Sequence, residues 1–413
     1  MAVVKAFAAV RPRPDLASRI AALPYDVYNT EEARTVLEKE PLSFLGIDRA
    51  EAQFDPERNM DPYSPEVYEK AHDTLWGMIA RGEFVSDEQP AYYIYRLTMK
   101  GRSQTGIVGC SSVEDYEKNV ILKHENTLRE KEQDRIVHID TLNAQTGPIF
   151  LAYPRHEGLA DIVARETAKE PLYDFTSDDG IRHAVWKIGD IDRVIAIREA
   201  FLEIPHTYIA DGHHRAASAV RVAEERRKAN KRHTGREEYN YFLSVLFPDD
   251  ELLIMDYNRV VKDLNGLSER EFLAKIAADF PVESVEADPV KPDKKGIIGM
   301  YLGGKWYRLA ISDKIKSADP VKGLDVSILQ DHLLTPVLGI GDPKTDKRIA
   351  FVGGIRGLSE LERRVQTDMK IAFAMYPTSI AELFATADAG LLMPPKSTWF
   401  EPKLRSGLFI HNI

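Results

Sequence analysis

The chain carries a single cysteine, Cys110, in 413 residues. One thiol forms no intrachain disulfide and no multi-cysteine zinc site. Cys110 closes the run Gly106-Ile107-Val108-Gly109-Cys110, a buried-strand pattern. Reactive cysteines need an accessible, electropositive setting, so this one reads as structural. No stretch approaches the roughly 18–20 apolar residues that span a bilayer. The N-terminus lacks an apolar core followed by a small-residue cleavage site. These absences point to the cytoplasm and away from a membrane. Positive charge is also in deficit: the net charge is -10, which disfavours a general nucleic-acid role. There is no internal repeat, no nucleophile elbow and no Ser/His/Asp signature. The glycine-rich run Phe351 to Gly357 lacks the spacing of a Walker loop or of G-x-G-x-x-G.

What is present is an ordinary globular composition, 44% hydrophobic and 29% charged, long enough for two or three domains. Leu23-Pro24-Tyr25-Asp26-Val27 reads as a turn into a short strand. Glu66 to Ala80 has helical spacing. Tyr92 to Leu97 and Thr105 to Val113 form a hairpin around Lys100-Gly101-Arg102. From Pro148 onward strands and helices alternate, with a helix over His213 to Lys228 and strands at Tyr241 to Phe247 and Leu252 to Met255. Pro, Lys, Asp and Glu dominate between Pro281 and Lys295. The expected organisation is a main α/β domain over 1–280, a linker over 281–295 and a C-terminal α/β subdomain over 296–413.

Three stretches carry chemistry. In Ile209-Ala210-Asp211-Gly212-His213-His214-Arg215 an apolar strand ends, one glycine allows a tight turn and a small-residue helix begins. The first turn of a helix has unpaired N–H groups and partial positive charge, which suits a phosphate. Gly212 lets an anion approach the backbone, and Arg215 can grip it with two N–H groups. Asp211 fits an N-cap, a metal ligand or a base. In Lys123-His124-Glu125, followed by a polar helix with Arg129 and Arg135, a base, a proton donor and phosphate clamps are on offer. A solvated helix laced with ion pairs explains only part of that pattern, since Glu130 and Asp134 are like-charged, as are Lys131 and Arg135. In Pro394 to Gly407, prolines and aromatics suggest a rigid loop that presents Lys396, Ser397, Lys403 and Arg405 to an anion.

Through Leu23 to Val27, Lys123-His124-Glu125, Asp134-Arg135, Thr146-Gly147-Pro148-Ile149-Phe150, Ala210 to Arg215 and Pro394 to Gly407, the chain resembles the bacterial and archaeal domain-of-unknown-function family 1015 over nearly its whole length. Gly212-His213-His214-Arg215 is similar to the start of the Gly-x-x-Arg-x-x-Ala motif of the ParB/sulfiredoxin superfamily, with Ser218 in place of the alanine. Its Asp-Gly-His-His-Arg form is closest to the free-serine kinases, which phosphorylate the amino acid with ADP or ATP. Sulfiredoxin chemistry needs a cysteine at the motif, and none stands there.

The resemblance implies a mixed α/β (α+β) fold with a ParB/sulfiredoxin-like core elaborated by further strands and helices. It also implies a nucleotide-dependent kinase or phosphotransferase acting on a small polar metabolite, using ATP or ADP with Mg²⁺. In that reading Gly212, His213, His214 and Arg215 hold phosphates, with Arg129, Arg135, Lys396, Ser397, Lys403 and Arg405 as further anion contacts. Glu125 or Asp211 is the base or, for Asp211, the Mg²⁺ ligand, while Lys123 or His124 offsets charge on the transferred group. The alternatives are a ParB-like nucleotide switch that contacts DNA and a metal-dependent hydrolase built on Asp211, His213 or His214, and His124. Partners are the nucleotide and a small molecule; nucleic acid is disfavoured, and oligomerisation is left open.

Overall fold

Strand-forming and helix-forming segments alternate along a mixed α/β chain in the computed structural model, which describes residues 1–127, 129–285 and 289–413. The contacts divide it into two units, Met1–Leu252 with Pro402–Ile413, and Leu253–Glu401.

The first unit is built on a nine-stranded sheet. Its strands are β1 (Val4–Lys5), β2 (Tyr92–Met99), β3 (Arg102–Ser112), β4 (Ile121–Leu122), β5 (Ile149–Tyr153), β6 (Tyr173–Thr176), β7 (Arg182–Ile188), β8 (Thr207–Asp211) and β9 (Tyr241–Pro248). The order across the sheet is β4-β8-β5-β9-β3-β2-β7-β6, with β1 paired to β3. β2 and β3 form the expected hairpin. Lys100 and Gly101 both take positive φ, 50° and 80°, the backbone that a two-residue hairpin turn requires. β3 lies between β2 and β9, and its run from Gln104 to Ser112 is buried, Cys110 included. Burial raises the Cys110 thiol well above its ordinary pKa, which suits a packing role.

Helices cover this sheet and a satellite layer: α1 (Pro65–Ala80), α2 (Arg129–Leu142), α3 (Glu157–Thr167), α4 (Ile191–Leu202) and α5 (His213–Ala229). α5 buries Ala216, Ala219, Val220 and Ala223, a stripe at helical spacing. Its small residues let α2 approach closely, and Ser218 Oγ donates to Glu132 O at 3.0 Å. Arg226, Arg227 and Lys228 close the helix with charge that opposes its dipole. The C-terminal segment returns to this unit, where Ser406 bridges Ala22 and His411 pairs with Gln145.

The second unit holds a six-stranded antiparallel sheet of β10 (Tyr257–Val261), β11 (Val282–Val285), β12 (Ile297–Leu302), β13 (Lys305–Ala310), β14 (Ile349–Gly353) and β15 (Ile371–Ala374). The order is β11-β13-β12-β15-β10-β14. Helices Glu269–Ile276 and Ile380–Asp388 each begin with a capping box, at Ser268 and Ser379.

Several local expectations shift. Tyr25–Val27 is a 3-10 turn instead of a strand entrance, because Asn29 immediately caps the helix Thr30–Lys39. The strand expected over Leu252 to Met255 is shorter, Ile254–Met255, and pairs with Trp399–Phe400. The boundary expected at 280 falls inside the second unit, because β10 is hydrogen-bonded between β14 and β15. Within the expected linker, β11 pairs with β13, and residues 286–288 lie outside the described residues. Leu128, between Lys123-His124-Glu125 and α2, lies outside them too. Among the described residues no helix is long and apolar enough to cross a membrane.

Candidate functional site

β4 and β8 run parallel, with Ile121 opposite Thr207 and Leu122 opposite Tyr208. Parallel neighbours end at one edge of a sheet. Lys123-His124-Glu125 therefore leaves β4 beside the turn at the end of β8, although the two stretches are far apart in sequence. The register of β8 against β5 shifts between Ile209 and Asp211, which re-aims the last residue of the strand. Gly212 then takes φ 94° and ψ 29°, a left-handed conformation that costs glycine little. A Cβ built there would stand 3.2–3.3 Å from the guanidinium of Arg215.

Gly212 is itself the cap residue of α5, and no side chain bonds its first-turn N–H groups as a cap. Asp211 is therefore not an N-cap. Its Oδ2 instead accepts from Lys403 Nζ at 2.7 Å. Burial raises the Asp211 pKa, but Lys403 and Arg215 outweigh it and hold the carboxyl well below the usual range.

His124 and His213 are 2% and 6% exposed, and their rings meet edge to face with centroids 4.5 Å apart. Burial pushes the His124 pKa down to about 4 against the pull of Asp211. Burial and then His124 push His213 well below its ordinary value. Both are neutral near pH 7. His124 Nδ1 and His213 Nε2 are buried without a hydrogen-bond partner among the described residues. Two such nitrogens beside a helix N-terminus are costly unless a ligand or water meets them. Lys123 is exposed, its Nζ 5.1 Å from the Tyr116 ring centre. Glu125 and His214 are half-buried.

Arg215 turns from the strand end to a small interior cavity. Its Nη1 donates to Pro148 O at 2.5 Å, and its Cδ lies 3.3 Å from where a Cβ on Gly147 would sit. The cavity, of about 30 Å³, is also lined by Tyr25, Asp48, Arg135, Thr146 and Ser406. Arg135 is buried, donates from Nε to Asp134 at 2.9 Å and stacks 4.1 Å over Tyr25. Arg135, expected at phosphate from the sequence, lines this cavity together with Asp48, Thr146 and Ser406, which the motifs do not single out. One signal was available: Asp48 ends the otherwise apolar turn Leu45-Gly46-Ile47-Asp48, and all four residues are buried.

The remaining expected contacts lie elsewhere. Arg405 is buried, donates from Nη2 to Ser177 Oγ at 3.0 Å and pairs with Asp179. Asp179 supplies the counter-charge that the sequence reading had assigned to a phosphate. Arg129 is the exposed first residue of α2. Lys396 and Ser397 belong to the second unit, where Ser397 Oγ donates to Pro394 O at 2.7 Å and Lys396 O accepts from Arg259. Among the described residues no group of three or more His, Cys, Asp or Glu side chains forms a metal cage. Mg²⁺ carried on nucleotide phosphates needs only one or two carboxylates, and Asp211 is one at this turn.

The profile of a family described as "Protein of unknown function (DUF1015)" matches residues 4–327. No curated protein matches the chain. Among solved structures, a free serine kinase in complex with AMP aligns at 13% identity over 70% of this chain and 89% of that one, with a TM-score of 0.33. SbnI with a C-terminal truncation, from Staphylococcus aureus, aligns at 11% identity over 71% and 82%, with a TM-score of 0.37. A conserved hypothetical protein from Pyrococcus furiosus aligns at 14% identity over 70% and 91%, with a TM-score of 0.33.

Proposed function

The chain belongs to the family of unknown function DUF1015, and from the chemistry of its site we propose that it is a nucleotide-dependent phosphotransferase acting on a small polar metabolite. One observation carries this reading. α5 begins at a positive-φ glycine with no side-chain cap, and two neutral, buried histidines with unpartnered ring nitrogens flank that start. The sequence likeness of Asp211-Gly212-His213-His214-Arg215 to the free-serine kinases agrees with it.

In this reading the first-turn N–H groups of α5 receive the phosphates of ATP or ADP. Neutral imidazoles serve as hydrogen-bond donors or acceptors there without adding charge. Lys403 and Lys123 offset the charge that builds as the transferred phosphoryl leaves. As the acceptor oxygen bonds to phosphorus, the bond from phosphorus to the departing phosphate breaks, and the acceptor's proton goes to a carboxylate. Asp211, held ionised by Lys403, is too weak a base, so Glu125 takes that role.

The test is calorimetric titration of the full chain with ADP, ATP and CTP, followed by assay of ATP or ADP consumption against a panel of small hydroxyl compounds. Binding of ADP or ATP with acceptor-dependent turnover supports the reading. CTP binding coupled to DNA retention would move it to a nucleotide switch. No affinity for any of the three would end it.

A further inference from the structure

Far from the turn at Gly212, the sheet of the first unit carries a gap on one face. Thr105, Arg96, Ala184 and Asp174 stand opposite one another on β3, β2, β7 and β6. Directly opposite residues share a face of the sheet. Ala184 is the small member of this row, and it leaves open floor between Arg96 and Asp174. The gap is a cavity of about 240 Å³, walled also by Arg182 and Trp186 of β7 and by Lys169, just beyond α3. β2 lies four strands from β8 in the sheet, about 19 Å at the usual strand spacing. The cavity is therefore separate from the phosphate turn.

Its cations outnumber its carboxylates. Arg96 is half-buried. Its Nε donates to Thr105 Oγ1 at 3.1 Å, and its guanidinium lies 5.2 Å from the centre of the Trp186 ring. Trp186 is itself fixed, because its Nε1 donates to Lys169 O at 2.9 Å. These contacts hold the Arg96 fork in one orientation, yet no carboxylate pairs with it among the described residues. Arg182 and Asp174 pair with each other. Lys169 shares Glu166 with Arg193. Arg96, Lys169, Arg182 and Arg193 thus face only Asp174 and Glu166, which leaves two positive charges without a counter-charge in this group.

We propose that this cavity binds a phosphate group as its dianion, gripped by the free Nη1 and Nη2 of Arg96 and flanked by Lys169 and Arg182, over the floor of Ala184. A planar guanidinium fork matches both carboxylate and phosphate. The missing charge decides between them, since a phosphate monoester carries nearly two negative charges at pH 7 and a carboxylate carries one. Asp174 does not repel the ligand strongly, because Arg182 already neutralises it. The volume of about 240 Å³ is roughly eight times the share of one water molecule. It holds inorganic phosphate, or a phosphate with a small organic body against Trp186. The proposal does not rest on the phosphotransferase reading.

Trp186 supplies a local readout. The full chain, isotopically labelled at its tryptophan nitrogens, gives indole N–H signals from four tryptophans, and that of Trp186 is assigned with Trp186→Phe. The labelled chain is titrated by nuclear magnetic resonance with inorganic phosphate, glycerol phosphate, acetate and glycerol in parallel. The Trp186 signal is expected to move and saturate with one or both phosphates, with affinity about tenfold or more above that for acetate, and to stay in place with glycerol. Tighter binding of glycerol phosphate identifies an ester as the ligand, and tighter or equal binding of inorganic phosphate identifies the free ion. Arg96→Gln is expected to weaken phosphate binding at least about tenfold. Ala184→Leu fills the floor while leaving every charge in place, and it is expected to block binding. A Trp186 signal that ignores both phosphates overturns the proposal, as does acetate binding as tight as phosphate, or phosphate affinity unchanged in either variant. The unaltered-chain series and Ala184→Leu decide the matter if Arg96→Gln fails to fold.

Discussion

The imidazole of His124 stands edge-on to that of His213, at 89° between planes and 4.5 Å between centroids. Each carries a buried nitrogen without a partner among the described residues. Burial, the largest cause for both, favours the neutral rings, and each positive form would repel the other. This pair joins two segments between which the chain builds four of the nine strands of the sheet, and it makes the site sensitive to acid.

That sensitivity has a sign. Burial lowers the pKa of His124 to about 4, of His138 to about 3 and of His183 to about 3, and lowers His213 as well. In the unfolded chain each histidine titrates near about 6.5. Below that pH the unfolded state takes up protons that the folded state refuses. The stability these groups allow is complete above about pH 6.5 and is lost as pH falls toward the folded values, by up to about 1.4 kcal/mol per histidine per pH unit. Chemical denaturation between pH 7 and 4 should show this loss. The double variant His124→Gln, His213→Gln should lower the slope by about two protons. An unchanged slope would mean that these rings are already charged or hydrated in the folded protein.

Gly212→Ala tests the turn. The φ of 94° is unfavourable for any residue with a Cβ, and that Cβ would crowd the Arg215 guanidinium at 3.2–3.3 Å. A loss of about 1–3 kcal/mol is expected, together with weaker ADP binding, measured by urea unfolding and calorimetry. Lost stability with unchanged ADP affinity would separate the turn from the phosphates.

How much of this was legible depended on how local the signal was. The strand, glycine and helix around Asp211 lie in one run, and apolar strand, left-handed glycine and small-residue helix stand in sequence order. Lys123-His124-Glu125 was legible as chemistry, but its approach to that turn follows from β4 pairing in parallel with β8. Of the small cavity beside Arg215 only Asp48, which ends an apolar turn, gives a local signal, because Asp48, Arg135, Thr146 and Ser406 come from four separate segments that tertiary packing brings together. In the basic loop near the end, Lys403 and Arg405 look alike as donors. The structure commits one to Asp211 and the other to Asp179, a division set by which carboxylate each can reach. The second unit begins earlier than composition suggested because Tyr257–Val261 is a short strand buried at all five positions, and only its partners tell which sheet it joins.

Arg405→Met follows from that division. Arg405 is 2% exposed and pairs with Asp179, whose side chain is 37% exposed, so water partly replaces the lost cation. A destabilisation of about 1–2 kcal/mol is expected, read by denaturant unfolding, with ADP affinity unchanged. Intact stability with lost ADP binding would return Arg405 to the phosphate site.

The identity of the catalytic base is decided by Glu125 and Asp211 together. Asp211 is bonded by Lys403 at 2.7 Å, and its pKa is depressed chiefly because Lys403 and Arg215 overcome the effect of burial. A carboxylate so stabilised accepts a proton poorly, and efficient general bases have pKa values nearer the working pH. Its better role is to hold Lys403 at the turn. Glu125, half-buried next to His124, is the remaining carboxylate of the two stretches. Glu125→Gln keeps size and hydrogen bonding but takes no proton, so turnover should fall by about 10²–10⁴-fold while ADP affinity is largely kept. Asp211→Asn should do something different. It removes the charge that fixes Lys403, costing up to about 1 kcal/mol of stability for a partly exposed pair. It should also weaken ADP binding, because Lys403 is no longer held in position, and its residual turnover should retain the pH profile of the parent. Lys403→Met is then expected to reproduce the Asp211→Asn defect, and the two together should be less than additive because both break one contact. Full activity in Glu125→Gln with abolished turnover and a lost acidic limb in Asp211→Asn would transfer the base to Asp211; full activity in both would remove a carboxylate base from the mechanism.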